Sequence, residues 1–136
     1  MGRGASVNRL RATVAAALLL AVAACSSPRS GTARPTTAAR LQITSPTPNQ
    51  VTGPDVDLQL DLVGATVVAA TTGPLRPDEG HIHVSLDGRL VSMAYGTTQP
   101  LHGLTPGSHS VRAEFVATDH APFRNRVVAA VLFEVR

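Results

Sequence analysis

The chain has 136 residues, with 12 Lys+Arg (every one an arginine) against 9 Asp+Glu, a formal charge of +3 and a single cysteine. That length holds one small domain, and the composition excludes a disulfide scaffold, a multi-domain enzyme and a polytopic membrane protein. Six of the arginines lie at or before residue 40, so residues 41–136 carry six arginines against nine acids, and the charge does not support nucleic-acid binding.

Residues 1–12 are polar and arginine-bearing, and residues 13–24, TVAAALLLAVAA, are apolar. This pattern predicts the n-region and h-region of a secretory signal over residues 1–24. The apolar run is too short for a spanning helix, which needs roughly 20 residues. Val22-Ala23-Ala24-Cys25 resembles a lipobox, the cleavage site of bacterial lipoproteins. The resemblance implies that Cys25 carries diacylglycerol and palmitate, becomes the new N-terminus, and holds the protein on the extracytoplasmic face of the cell membrane. Two acyl chains suffice for such an anchor, because each buried methylene contributes ~0.8 kcal/mol. Residues 26–40, SSPRSGTARPTTAAR, contain no large apolar side chain. Such a segment cannot offset its ordering entropy, so residues 25–40 are expected to be a lipidated cysteine and a flexible tether.

From residue 41 the chain consists of short apolar alternations punctuated by Pro and Gly, which predicts an all-β domain over residues 41–136. Leu41 to Thr44 forms a first short strand. Val56, Leu58, Leu60 and Leu62 alternate with Asp57, Gln59 and Asp61, so the apolar set faces inward. The strand is expected to continue past a kink at Gly64 through Thr66 to Ala70, followed by a loop over residues 71–79. Asp87-Gly88 between HIHVSL and RLVSM predicts a two-residue hairpin, because a type I′ turn needs positive φ at both positions. That loop would set Val84 opposite Val91, Ile82 opposite Met93, His83 opposite Ser92 and His81 opposite Ala94. Ile82, Val84, Val91 and Met93 then share the core face, and His81 and His83 the other. Thr98 to Leu104 is a further short strand. Ser108 to Thr118 presents Val111, Ala113, Phe115 and Ala117 on one face, and Val127 to Val135 presents Val127, Ala129, Val131, Phe133 and Val135. About seven strands in about 96 residues is the size of an immunoglobulin-like sandwich.

The run Leu104-Thr105-Pro106-Gly107-Ser108-His109-Ser110-Val111, with Phe115 and Asp119 beyond it, is similar to the penultimate strand of bacterial immunoglobulin-like and fibronectin type III-like domains. The Gly80-His81-Ile82-His83 hairpin, taken with Asp119-His120-Ala121-Pro122, looks like small bacterial envelope proteins of that fold. The resemblance covers roughly residues 41–136 and implies an immunoglobulin-like antiparallel β-sandwich without naming an activity. The absence of Trp and of any cysteine pair excludes antibody-type packing.

All five histidines, at 81, 83, 102, 109 and 120, belong to the foldable part. Residues two apart on a strand are about 6.6 Å apart along one face, and two such imidazoles can converge on one ion at ~2.0 Å bonds. In an immunoglobulin-like sheet the strand starting at Gly80 runs antiparallel beside the one ending near Thr118, which brings His120 to the same edge. Its parity, opposite to Val111 and Phe115, turns it outward. His81, His83 and His120 are therefore candidate ligands for copper or zinc, with Asp119 as a further ligand or outer partner. The competing reading leaves them as polar side chains on a solvated sheet face. His109 shares the parity of Val111 and is expected to stabilise its turn, and His102 has no supporting pattern. A cupin reading of His-x-His fails because Leu75 stands where a glycine is needed. No Gly-x-Ser-x-Gly elbow and no glycine-rich phosphate loop occur, so no enzyme is expected. The sequence thus predicts a non-catalytic envelope lipoprotein, a binding or structural module. Its expected partners are the membrane, through Cys25, and an envelope protein; metal binding is the alternative.

Overall fold

The computed structural model describes residues 33–136; the expected signal, Cys25 and residues 26–32 of the expected tether lie outside the described residues. The strands are β1 (Arg40–Ser45), β2 (Val51–Thr52), β3 (Val56–Val63), β4 (Thr66–Val67), β5 (Glu79–Leu86), β6 (Arg89–Ala94), β7 (Thr98–Leu101), β8 (Gly107–Ala117) and β9 (Pro122–Val135), with no helix among the described residues. Seven of them are four residues or longer, as the turn spacing predicts.

Alternation decides the first sheet. Leu41 and Ile43 of β1 pair with Leu62 and Leu60 of β3, and β7 lies on the other side of β3 with Leu101 against Val56. Asp57 and Asp61 are left in water. The second sheet runs β2-β9-β8-β5-β4, with β6 also bonded to β5. Its long pairs are antiparallel, and only the two-residue strands β2 and β4 pair parallel. The inner faces of the two sheets meet in one core in which Leu58, Ile82, Val84, Ala113 and Phe115 are fully buried. The division of β1, β3 and β7 from β5, β8 and β9 is that of strands A, B and E from C, F and G in an immunoglobulin-like sandwich, with β6 added beside β5. Among the described residues the fold is an all-β sandwich of that class.

Three expectations need correction. The flexible tether was expected to run to Arg40, but residues 34–40 lie against the domain. Arg124 N–H donates to the Pro35 carbonyl, and the Asn125 side-chain amide exchanges two hydrogen bonds with the Thr37 backbone. Thr37 and Ala39 are buried. Composition misjudged this segment because its order comes from polar contacts, its backbone with Arg124 and Asn125 of β9 and the Arg34 side chain with the turn before β9, and not from large apolar side chains.

Second, Asp87 and Gly88 do adopt positive φ, 50° and 81°, but the hairpin register holds for only two pairs. Leu86 faces Arg89 and Ser85 faces Leu90; Val84 then faces Ser92, His83 faces Met93 and Ile82 faces Ala94. Val91 is the extra residue of a β-bulge. A one-residue slip moves every later side chain to the other face, so Ala94 enters the core while Val91 and Met93 are 49% and 44% exposed. Third, the expected strand over Thr66–Ala70 shrinks to β4, which turns away from the first sheet to pair Thr66 with Glu79 and Val67 with Gly80.

Candidate metal centre

Two of the three clustered histidines owe their position to a strand buried from both sides. β5 has β8 on one flank and β4 and β6 on the other, so its backbone is fixed by ladders. Ile82 and Val84 point into the core with no exposure. Alternation therefore sends His81 and His83 to the outer face of the sheet, where Val116 and Glu114 of β8 are their register partners.

The third histidine arrives by a turn. The strand ends at Ala117, and the chain reverses over Thr118, Asp119 and His120 into β9. His120 N–H donates to the Ala117 carbonyl, and Ala117 N–H to the Ala121 carbonyl. This is a three-residue hairpin loop whose last position is left-handed, a place usually given to glycine. His120 occupies it at φ 65°. Strand parity, on which the expectation rested, does not extend this far; the left-handed turn brings the ring over His81 instead.

The three rings converge on one point. His81 Nε2 lies 3.1 Å from His83 Nε2 and 3.0 Å from His120 Nδ1, and the last two are 3.4 Å apart. Each imidazole nitrogen has one in-plane position, filled by a proton or by a lone pair. One proton can bridge one side of this triangle, which leaves the other two sides without a good hydrogen bond. One cation held by all three nitrogens would remove this conflict, since tetrahedral ligands at 2.0–2.1 Å from zinc are themselves about 3.3 Å apart.

Burial favours the neutral, metal-binding form of His81 and His83. His81 is wholly buried, under the rings of His83, Tyr95 and His120 with centroids 5.0, 5.5 and 4.5 Å away. This burial, with the neighbouring His120 and His83 adding to it, pushes its pKa down to about 4. His83 is lowered as well, first by burial and then by His120. His81 Nδ1 is buried with no hydrogen-bond partner, as is Thr118 Oγ1.

Asp119, the other candidate, is not one of the converging groups. Its carboxylate accepts two hydrogen bonds from Arg34, at 2.7 and 3.0 Å, and one from Ala121 N–H. The Arg34 pairing, ahead of the Ala121 bond, holds its carboxyl below the usual range. Arg34 also donates to the Ala121 and Pro122 carbonyls, so it clamps the turn that presents His120. Sequence reasoning missed this because Arg34 falls in the expected tether and Asp119 stands beside a histidine. Glu114, next to His83 on the ladder, is likewise taken: Arg126 grips both its oxygens at 2.6 and 2.7 Å and Arg112 adds a third contact at 2.9 Å.

No family model matches the sequence, and no curated protein does. Among solved structures, the chain is similar to the fibronectin(III)-like modules of Clostridium thermocellum CbhA, at 17% identity over 70% of this chain and 93% of that one, with a TM-score of 0.47. It is also similar to the PKD domain of human KIAA0319, at 16% identity over 82% and 91% of the two chains, with a TM-score of 0.47.

The remaining histidines stand apart from the cluster. His102 is exposed and pairs with Asp55 at 3.2 Å. His109 lies under the β5–β6 hairpin, where Nδ1–H donates to Asp87 Oδ2 and Nε2–H to the Thr105 carbonyl, both at 2.7 Å. It joins the hairpin to the turn that opens β8.

Proposed function

We propose that this protein is a non-catalytic, lipid-anchored module of the cell envelope whose His81, His83 and His120 bind one copper or zinc ion. The observation that carries the reading is the triangle of ring nitrogens at 3.0–3.4 Å, the spacing of ligands around one ion and a poor arrangement for three imidazoles alone. A ligand set of imidazoles suits both metals. The anchor rests on Val22-Ala23-Ala24-Cys25 and its resemblance to a lipobox. An envelope protein that exchanges the ion with this site is the partner such a module needs.

Titration calorimetry of the full-length chain with Zn(II) and Cu(II) tests the metal reading. One ion per chain should bind, and His81→Ala, His83→Ala and His120→Ala should each abolish or greatly weaken binding while His102→Ala leaves it intact. Equal losses in His102→Ala, or no saturable binding by the parent, would remove the site. For the anchor, Cys25→Ala should abolish labelling by a palmitate analogue and release the protein from membranes; persistent labelling would overturn the lipobox reading.

A further inference from the structure

Resting on the three-histidine reading, we propose that Met93 supplies a fourth, thioether donor, making the centre selective for copper(I). Met93 is the residue directly opposite His83 on β6. Directly opposed residues of an antiparallel pair project from the same face with Cβ atoms about 4.5–5.5 Å apart. A methionine side chain, with its three rotatable bonds, covers the remaining distance to an ion held by the His83 ring.

The bulge at Val91 is what creates this pairing. With an unbroken two-residue hairpin, Ser92 would stand opposite His83 and Met93 would point into the core with Ile82. The extra residue turns Met93 out, to 44% exposure on the histidine face. Exposing a large apolar side chain forfeits its burial, and bulges that re-aim one side chain concentrate beside functional sites. Two residues further on, Tyr95 packs its ring against His81 on the same side.

The donor set fixes the class of ion. The two nearby carboxylates that would suit a harder dication are both committed, Asp119 to Arg34 and Glu114 to Arg126 and Arg112. What remains is three neutral imidazoles and a thioether. Thioether sulfur selects soft Cu(I) over Zn(II), and an uncharged donor set beside three arginines that share only two carboxylates is better matched to one positive charge than to two.

The test uses the full-length chain in a Cys25→Ser background, so that the one thiol does not compete. Cu(I) affinity is measured anaerobically against a chromophoric Cu(I) chelator and Zn(II) affinity against a zinc indicator, for the parent and for Met93→Leu, which preserves volume. Met93→Leu should weaken Cu(I) by about tenfold, the lower end of what losing one partner at a metal site costs, and leave Zn(II) unchanged. X-ray absorption of the Cu(I) form should show a copper–sulfur distance in the parent and none in Met93→Leu. Unchanged Cu(I) affinity, or equal weakening of both ions, would overturn the role of Met93 while leaving the three-histidine site standing. A parent that binds neither ion would overturn both.

Discussion

Gly80→Ala adds one methyl group immediately before the first candidate ligand. An ideal Cβ at Gly80 stands 2.0 Å from the Val116 carbonyl oxygen and 2.9 Å from Cζ of Phe115. Phe115 is fully buried and the oxygen belongs to the β8 backbone, so neither can swing aside. Relief requires β5 and β8 to separate by about 1 Å where Gly80 pairs with Ala117, placing the cost at or above the top of the usual 1–3 kcal/mol for overpacking. Loss of glycine's unfolded-state freedom offsets less than about 1 kcal/mol of this. For a domain of this size about 3 kcal/mol lowers the melting temperature by about 12 °C or more. Gly96→Ala meets nothing within 4 Å at an ordinary backbone angle and should stay within about 0.5 kcal/mol of the parent. Gly88→Ala is equally open but sits at φ 81°, which costs about 1–2 kcal/mol. Thermal and urea melts of the three variants give the order Gly96→Ala, Gly88→Ala, Gly80→Ala. If Gly80→Ala melted with Gly96→Ala, the tight approach of β5 to β8 that seats His81 would be refuted.

Arg34→Ala should cost only about 1 kcal/mol of stability, as partly exposed pairs do, yet weaken metal binding by freeing the turn that carries His120; Arg34→Lys should restore it only in part, since lysine lacks the planar fork. Zinc competition reads this out, and an unaltered affinity in Arg34→Ala would sink the clamp. His109 has its pKa raised, first by its bond to the Thr105 carbonyl and then by Asp87, so its contribution is complete below about pH 6.5 and is lost as pH rises through the higher folded value. Asp87 is lowered, first by Ser110 N–H, so its contribution is present above its ordinary range and fades as pH falls through the lower folded value. Urea melts across pH should lose stability as pH rises past about 6.5 in the parent and not in His109→Gln; identical slopes would contradict the assignment. Phe115 and Phe123 stack with centroids 5.3 Å apart at 16°, so Phe115→Ala and Phe123→Ala should each cost about 3–5 kcal/mol. A double-mutant cycle should find a coupling of about 0.5–1.5 kcal/mol, and additive losses would count against the stacked pair.

The strands and their faces were legible wherever polar and apolar residues alternate without interruption. Leu58, Leu60, Val111, Phe115 and Phe133 are buried as their parity requires. Parity failed where the count was broken. Nothing in the RLVSM run marks Val91 as the inserted residue, because Leu90, Val91 and Met93 suit either face, and one slip was enough to exchange Met93 with Ala94. The pairing of β5 with β8 followed from the resemblance and brought His81, His83 and His120 to one edge. The commitments of Asp119 and Glu114 were not legible, since their arginines come from positions 34, 112 and 126, and long-range ion pairs leave no periodic trace.

The way each histidine is held bears on how the centre would work. His81 and His83 stand on a strand whose core-facing neighbours are fully buried, so their Cα positions move only if the sandwich does. His120 instead occupies a left-handed position that costs a side-chain-bearing residue of order 1–3 kcal/mol. The turn keeps that geometry through its two backbone bonds and the Arg34 clamp. Two of the three candidate ligands thus stand on the rigid sheet, and the third on a hairpin tied to Arg34. A preorganised site of this kind loses little freedom on binding, which favours tight capture. In the proposed site, release would be governed at His120, the exposed member of the three, where breaking the Arg34 contacts would withdraw one ligand without unfolding a strand.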